Sequence, residues 1–414
     1  MGQRTLGLEP PDRSSTWRPV RSAALERLHS FLASAGGSYA RRRNFDLGPG
    51  KHSNVSQLSP WVRHRILLEE DVLRAVLNKH DFDQAEKFVQ EVFWRGYFKG
   101  WLEHRPDVWR NYKRDLIQQF DQLDRNAGLA RRYDEAVAGR TGLGCFDFWA
   151  RELTETGYLH NHARMWFASI WIYTLNLPWQ LGADFFYRHL IDGDPASNTC
   201  SWRWICGLHT TGKTYLARAD NIEKFTEGRF NPTGDLATTA PALEESHESQ
   251  LSIPDLSVPE IEGRRVGLIL TEEDCSVESL APKPPIALLA LTEATDRSLR
   301  PLGTYARQFA PIAVQDAKTR AELYFGLPVA EYDGLDWAEA VQNWVGEHNL
   351  EACVTARLPQ GPVQKRLRRA CSDAGIELLE LTRLYDRIVW PHARRGFFGL
   401  KKEIPFILSE LSLT

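Results

Sequence analysis

The fold is decided by residues 156–207, whose sequence is TGYLHNHARMWFASIWIYTLNLPWQLGADFFYRHLIDGDPASNTCSWRWICG. This stretch has mostly apolar residues in helical patterns, and it contains the cation Arg164 and the carboxylates Asp192 and Asp194. Buried charges need partners, so the stretch predicts an ion pair between Arg164 and Asp192. From spacing alone that pair is either a structural salt bridge or part of a functional site.

The end of the same stretch places an amide next to aromatic rings. Asn198 precedes Trp202 and Trp204, an arrangement that suits a planar heteroaromatic ligand. Fourteen Trp residues are present, and 11 of them lie before residue 205. This excess indicates either a large helical core or a site that stacks a chromophore or a base.

Helical patterns extend outward from this stretch in both directions. A first helix is predicted to begin near Pro19, and residues 40–58 are predicted to form a loop. Ser59 looks like an N-cap that is followed by Pro60 at the first helical position. From there to about Phe225 the pattern is almost entirely helical, including an amphipathic run over residues 85–102. Residues 1–16 are polar and are expected to be loose.

The pattern changes after residue 230. Residues 231–262 are rich in Pro, Ser, Thr and acids and are predicted to be an interdomain linker. Beyond them, strands and helices alternate, which predicts a doubly wound parallel sheet. The predicted strands are residues 265–270, 287–292, 352–357 and 376–381, and the predicted helices are residues 336–350 and 361–374. No GxGxxG or GxxxxGK[ST] motif stands at a strand end.

Length and composition narrow the class of protein. The 414 residues suggest about two domains, and 43% hydrophobic with 25% charged residues is ordinary for a globular protein. Residues 1–234 carry 32 Lys and Arg against 27 Asp and Glu, whereas the rest is acidic. This imbalance is a weak argument for polyanion contact in the front half. The six Cys residues show no CxxC spacing, so we expect no metal site.

The Cys content and the apolar stretches also indicate where in the cell the protein is located. Few, scattered Cys residues fit a reducing cytoplasm, and no apolar signal core is visible at the N-terminus. The longest apolar stretch, near residues 166–179, is too short and interrupted to span a bilayer. We therefore expect a cytoplasmic protein without membrane contact.

Several separate motifs now point to one family. TGYLHNHARM (residues 156–165) and LIDGDPASNTCSWRW (residues 190–204) are similar to TGWMHNRxRM and LIDGDLASNNGGWQW. QEVFWRGYF (residues 90–98) and SNVSQLSPWV (residues 53–62) are similar to ELIWREFY and GTSxLSPYL. In this order and spacing, the sequence resembles the flavin-binding domain of the photolyase/cryptochrome family over roughly residues 20–230.

The resemblance implies FAD as the cofactor. The loop Ser56–Ser59 would bind its phosphates, as backbone N–H and hydroxyl groups at a helix start can do. Asn198 would face the central-ring nitrogen of the flavin. The complete implied cofactor set is Tyr39, Ser56, Gln57, Leu58, Ser59, Phe88, Glu91, Arg95, Tyr158, Asn161, Arg164, Asp192, Asp194, Ser197 and Asn198. No motif for an antenna chromophore is recognisable.

The resemblance also implies a substrate pocket. Glu91 would hydrogen-bond a damaged pyrimidine pair, Trp94 and Trp204 would form the pocket walls, and Met165 would lie beside the cyclobutane ring. Asn161 belongs to the implied substrate set too. The basic groups implied at the mouth of the pocket, as contacts for damaged DNA, are Arg95, His160 and Arg203.

Electron transfer is the implied chemistry, and the implied catalytic set is Glu91, Asn198, Met165, Trp202 and Trp179. Trp202 and Trp179 match the inner members of the family's Trp chain, but the third position aligns near Asn126. Trp109 or Trp149 could substitute there. Gly96 replaces an acid common in relatives, and residues 205–231 depart from the family pattern.

The predicted fold class is α + α/β, with an all-helical FAD-binding domain followed by a smaller doubly wound parallel domain. The predicted boundaries are residues 1–230, linker 231–262 and residues 263–414. Family members carry these domains in the opposite order, so we hypothesise a circular permutation, with the final stretch (residues 378–408) resembling the end of the family's α/β domain.

Two functions follow from the resemblance. The first is a monomeric, light-dependent DNA photolyase that repairs cyclobutane pyrimidine dimers by electron transfer from excited reduced FAD. The alternative is a cryptochrome-like blue-light photoreceptor that binds FAD without repairing DNA, which the interrupted Trp chain favours. A flavoprotein with a redox or DNA-binding scaffold role remains a third possibility.

Overall fold

A computed structural model describes residues 17–245, 249–280, 284–292, 297–332 and 334–413. The expectation for residues 1–16 lies outside this range. Twelve α-helices are found up to residue 225: α1 Arg21–Leu32, α2 Gly37–Arg42, α3 Ser59–Arg63, α4 Glu69–Leu77, α5 Phe82–Glu103, α6 Pro106–Arg125, α7 Ala127–Val137, α8 Gly144–Thr156, α9 Asn161–Ser169, α10 Trp179–His189, α11 Pro195–Ile205 and α12 Ala219–Phe225. The predicted helical pattern over residues 59–225 is therefore confirmed.

Helix α5 contributes several large side chains to the core of the helical region. It extends over 22 residues, and its apolar positions recur at helical spacing, so that Phe88, Phe93 and Tyr97 are buried in the core. Helix α9 continues into a π-helical turn, Ile170–Thr174, which carries the buried Trp171. The large aromatic side chains of these helices form one continuous core.

Two local predictions were wrong. Helix α2 occupies residues that were assigned in part to the loop at 40–58. Ser59 is the first residue of α3, not its N-cap; Leu58 stands at the N-cap position and makes no side-chain cap. The Ser59 hydroxyl instead helps to lower the pKa of the buried Asp192.

A parallel five-stranded sheet follows. Its strands are β1 Val266–Leu270, β2 Ala287–Ala290, β3 Val329–Ala330, β4 Ala352–Ala356 and β5 Glu377–Leu381, and their order is β3-β2-β1-β4-β5. Register is illustrated by Leu268, which pairs with Leu288 on one side and Val354 on the other. The helices are α13 Thr304–Phe325, α14 Trp337–His348, α15 Pro362–Asp373, α16 Leu384–Val389 and α17 Phe397–Glu410. The predicted α + α/β, doubly wound architecture is confirmed.

The two faces of the sheet bury different neighbours. Leu268 and Leu270 of β1 face the core that is shared with the helical region, whereas Ile269 faces Trp344 and the other residues of a second core. Alternation along a strand produces this division. Helix α13 and strand β3 were not predicted, because a Pro such as Pro311 is rare inside a helix and β3 has only two residues.

Residues 231–262 contain no helix or strand where they are described, and they lie along the helical region. The N–H of Leu243 donates to the carbonyl of Cys206 at 3.0 Å, and that of Ser252 donates to His104 at 2.8 Å. The segment is thus attached by hydrogen bonds along its length.

The final stretch of the chain, after β5, packs against α5. Beyond β5, which is only half-buried, it forms α16 and α17. Gly96 and Gly100 permit the close approach, since a Cβ atom would lie 2.8 Å from the Tyr385 hydroxyl at the first and 2.8 Å from the Trp390 ring at the second. In the described residues, no helix is long and apolar enough to cross a membrane.

Candidate functional site

The loop before α3 is shaped by an arginine that the sequence analysis missed. Gln57 has a φ of 55°, in the left-handed region. The Nε of Arg27, on α1, donates to the carbonyl of Ser56 at 2.8 Å, and its Nη2 donates to the Gln57 side chain. Arg27 thereby holds Ser56 and Gln57 in position. Arg27 is one of two arginines on α1, with Arg21, so no local signal singled it out.

Arg164 and Asp192 form the predicted ion pair. Arg164 Nη2 lies 3.0 Å from Asp192 Oδ2, and Arg164 Nε donates to the carbonyl of Leu159 at 2.9 Å. Burial alone would raise the pKa of Asp192, but the Arg164 guanidinium and the Ser59 hydroxyl lower it below its ordinary value. The other oxygen, Oδ1, is buried and has no hydrogen-bond partner within the described residues.

Asp194 caps the start of α11. Its Oδ1 accepts from the N–H groups of Ala196 and Ser197 at 2.8 and 3.0 Å. Its Oδ2 lies 3.0 Å from Nη1 of Arg95, which joins α11 to α5. Burial opposes ionisation, yet the charges of Arg95 and Lys99 lower the pKa of Asp194 to about 2. The carboxylate is therefore charged at any ordinary pH.

One face of α11 carries Asp194, Asn198 and Trp202 at successive intervals of four residues. The Nδ2 of Asn198 donates to the carbonyl of Ala183 at 2.8 Å, so the amide orientation is fixed. Trp202 packs tightly on α10, because a Cβ at Gly182 would lie 2.3 Å from its ring.

Glu91 lies one helical turn before Arg95 on α5. Its carboxylate is partly buried and forms an ion pair with Arg43. Burial raises the pKa of Glu91 above its ordinary value, although the charge of Arg43 opposes that shift. Phe88, one turn earlier, makes an edge-to-face contact with Tyr39 at 5.2 Å between ring centroids.

The other implied ring and polar residues lie on four elements. Trp94 stacks on Phe397 of α17, with ring centroids 3.7 Å apart and planes at 13°. Trp204 packs against Tyr215 at 5.8 Å. On α9, Asn161 is exposed and Met165 is partly buried. Tyr158 precedes α9, and its ring lies 5.1 Å from that of Trp17.

The electron-transfer candidates divide between two places. Trp179 stacks on Tyr112 at 5.4 Å, and Tyr112 lies 5.4 Å from Trp109, which is nearly buried. Trp149 instead stacks on Trp166 and donates to Asp46. Asn126 is exposed, and its side chain caps α7 by accepting from Leu129 N–H at 3.0 Å.

Two of the predicted DNA contacts were wrong. His160 and Arg203 are 1% and 3% exposed, so a DNA backbone cannot reach them. Arg203 is held by Glu245, with Nη2 2.7 Å from Oε2. Burial and the neighbouring His52 lower the pKa of His160 to about 3, which leaves it neutral. Arg95 is mostly buried as well, and its charge is directed to Asp194.

Part of this chain is similar to known proteins. The family described as the FAD binding domain of DNA photolyase matches residues 88–263. A deoxyribodipyrimidine photo-lyase of Neurospora crassa is 30% identical over 244 residues, which cover 56% of this chain and 38% of that protein. One of Synechococcus is 33% identical over 193 residues, covering 45% and 38%. The chain thus spans less than half of the length of these relatives.

Among solved structures, a bacterial class III photolyase from Agrobacterium tumefaciens has a TM-score of 0.42 and 27% identity, covering 50% of this chain and 43% of that one.

The cofactor of the matched domain is FAD. The polar groups present fit this cofactor: the unpartnered Oδ1 of Asp192 is a buried acceptor that needs a donor, and ribityl hydroxyls and flavin N–H groups are donors. In the described residues, no group of three or more His, Cys, Asp or Glu side chains could hold a metal ion.

Proposed function

We propose that this chain, which belongs to the photolyase/cryptochrome family through its FAD-binding domain, is a light-dependent photolyase that splits cyclobutane pyrimidine dimers in DNA. The observation that carries the proposal is the placement of Glu91. Its carboxylate is held by Arg43 and flanked on α5 by Trp94 and by Arg95, which reaches Asp194 at the start of α11. An acid, a ring and a cofactor anchor thus share one helix.

When bound, FAD supplies the light-driven electron that opens the cyclobutane ring and receives that electron back. Two carbon–carbon bonds break in the dimer and no net oxidant or reductant is consumed. The dimer must first leave the base stack, as in other enzymes that act on bases.

The chain's own residues would bind the cofactor and orient it. The ion pairs Arg164–Asp192 and Arg95–Asp194 fix the ends of α9 and α11. Asp192 Oδ1 would accept from a donor on the cofactor, and the amide of Asn198, held by Ala183, would face the flavin ring. The loop that contains Ser56 and Gln57 would bind the phosphates of the cofactor. Arg27 holds both residues in position.

The substrate side uses different groups. The carboxyl group of Glu91, held by Arg43, would hydrogen-bond the damaged pyrimidine pair. Trp94, Trp204 and Met165 would supply apolar walls that exclude water, and the exposed Asn161 would offer an amide to the base edge.

The test is repair of an oligonucleotide with one thymine dimer, under blue light, with the FAD-loaded protein in its reduced form. We expect repair in the wild type, loss in Glu91→Ala, and wild-type repair in Asp83→Ala, which removes an exposed acid from the same helix. FAD absorbance checks that each variant is loaded. Unchanged repair in Glu91→Ala, or no repair by the loaded wild type, would overturn the proposal.

A second candidate is a blue-light photoreceptor without repair activity. The observation that favours it is the stacking of Phe397 on Trp94, which occupies one face of a proposed pocket wall. Photoreduction of bound FAD without any loss of dimers would support this alternative over the first.

We also propose that the chain divides at residues 231–262, with the sheet region as a second domain in reversed order. Support comes from the change from helices to a parallel sheet on either side of this segment. A chain that begins with residues 263–414 and ends with residues 1–262 should fold and bind FAD; failure to bind FAD would contradict the permutation.

A further inference from the structure

Helix α17 lies along α5 in the opposite direction. Near its start, Phe397 stacks on Trp94; one turn later, the Nζ of Lys401 lies 3.3 Å from a carboxylate oxygen of Glu86, two turns earlier on α5. The carbonyl of Arg394 accepts from Arg105, just beyond the end of α5. This segment therefore borders the proposed substrate pocket.

The outer side of the segment carries aromatic rings that the fold does not bury. Phe398 is 77% exposed and Phe406 is 54% exposed, although both neighbour well-buried residues such as Phe397 and Ile407. Exposed apolar side chains that lie together often mark a contact surface.

Three cations lie close to these rings in the sequence. Arg394, Arg395 and Lys402 are exposed, and none of the three forms an ion pair with a residue that the structure describes. Glu403 is partly buried, and the other acid of the helix, Glu410, lies at its far end. The start of α17 and the residues just before it thus carry more positive than negative charge.

We propose that Arg394, Arg395, Phe398 and Lys402, here called the C-terminal basic surface, bind the DNA strand that flanks the lesion. The cations would contact phosphates and Phe398 would stack on a base that is exposed when the dimer leaves the helix. The inference rests on the proposed function, since the pocket beside Trp94 is part of it. It also supplies a contact surface that His160 and Arg203, being buried, cannot.

DNA fits this surface better than a protein or a lipid membrane does. Three exposed cations within nine residues give this surface a local positive charge that suits a polyanion. The flat ring of Phe398 suits a base, and the surface adjoins a pocket proposed to hold one.

The experiment measures binding of the full-length, FAD-loaded protein to a duplex with one thymine dimer and to the intact duplex, at several salt concentrations. The variant is Arg394→Glu with Arg395→Glu. Its matched control is Arg131→Glu with Arg132→Glu, another pair of adjacent exposed arginines, on α7. FAD absorbance confirms that both fold.

We expect the C-terminal variant to bind both duplexes about tenfold more weakly and to reduce the slope of log affinity against log salt by about two. The α7 variant should bind within about twofold of the wild type, since its helix does not adjoin the pocket. Phe398→Ala should weaken binding to the damaged duplex more than to the intact one.

Wild-type affinity in the C-terminal variant, or equal losses in both arginine pairs, would overturn the inference. The two proposals can fail separately. If the wild type repairs the dimer and the variant still binds normally, the surface is wrong and the photolyase stands. If the variant loses DNA binding but the wild type repairs nothing, the surface stands and the photolyase is wrong. A wild type that binds neither duplex refutes both.

Discussion

Arg63 and Glu273 form a bidentate ion pair, with each of two guanidinium nitrogens 2.7 Å from a carboxylate oxygen. Arg63 lies on α3 and Glu273 in the turn after β1, and both are almost fully buried. Burial would lower the pKa of Arg63, but the Glu273 carboxylate raises it above its ordinary value. The Nε of Arg63 also donates to the carbonyl of Gly193 at 2.8 Å, so one side chain connects the sheet region to the segment between Asp192 and Asp194.

Glu273→Gln should therefore destabilise the protein strongly, because it leaves the buried guanidinium of Arg63 without its counter-charge. We expect a loss of about 3–5 kcal/mol in the free energy of unfolding, measured in urea. Glu26→Gln is the control, since Glu26 pairs with Arg18 at the surface, where such pairs contribute about 0–1 kcal/mol. Similar small losses in both variants would contradict the role of the buried pair.

Gly96 is where the C-terminal segment meets α5. A Cβ there would lie 2.8 Å from the hydroxyl of Tyr385, so Gly96→Ala should displace α16 and cost about 1–3 kcal/mol in unfolding free energy. In the exposed Gly346 of α14, a Cβ would meet no atom within 4 Å. Gly346→Ala should instead stabilise by about 0.5–1 kcal/mol, through helix propensity alone. A stabilising Gly96→Ala would show that the contact is not close.

Asp194 makes stability depend on pH in a defined window. Its pKa of about 2 lies below the ordinary value, so its ionised form stabilises the fold above about pH 4, and this contribution is lost as pH falls towards 2. Asp194→Asn should be less stable than the wild type at pH 7, and the difference should shrink below pH 4. Thermal unfolding at pH 7, 4 and 3 measures it. A difference that does not change with pH would mean that the cap, and not the charge, matters.

The sequence alone predicted the regular elements well. The apolar spacing of α5 and the apolar run of β1 are local signals, and both elements formed where they were predicted. Ser59 was misassigned because α3 begins at Ser59 itself, and Leu58 at the N-cap position makes no side-chain cap. A helix start without a side-chain cap lacks the local signal on which capping rules depend.

The ion pair of the candidate site could be predicted from the sequence, whereas the contact partners of its other residues could not. Arg164 and Asp192 belong to one conspicuous stretch, and their ion pair followed from the cost of burying a charge. The partners of Trp94 and Glu91 could not be inferred in this way. Phe397 is about 300 residues from Trp94, and Arg43 lies on the far side of the Ser56 loop, so only the folded chain brings them together.

The route of electrons to bound FAD gives the last prediction, which discriminates between Trp109 and Trp149. Trp179 and Trp109 each lie 5.4 Å from Tyr112, measured between ring centroids. Trp149 is stacked on Trp166, away from that series. Because electrons pass most readily between adjacent rings, light-driven reduction of oxidised FAD should be lost in Trp179→Phe and slowed in Trp109→Phe.

Trp149→Phe should photoreduce FAD at the wild-type rate, which makes it the matched control for a buried Trp. The measurement is flavin absorbance under blue light with an external thiol as the final electron donor. If Trp149→Phe were slow and Trp109→Phe normal, the electrons would not pass through Tyr112. The aligned position, Asn126, carries no ring, so a chain that still photoreduces FAD must use another ring, and Trp109 is the one that the contacts through Tyr112 reach.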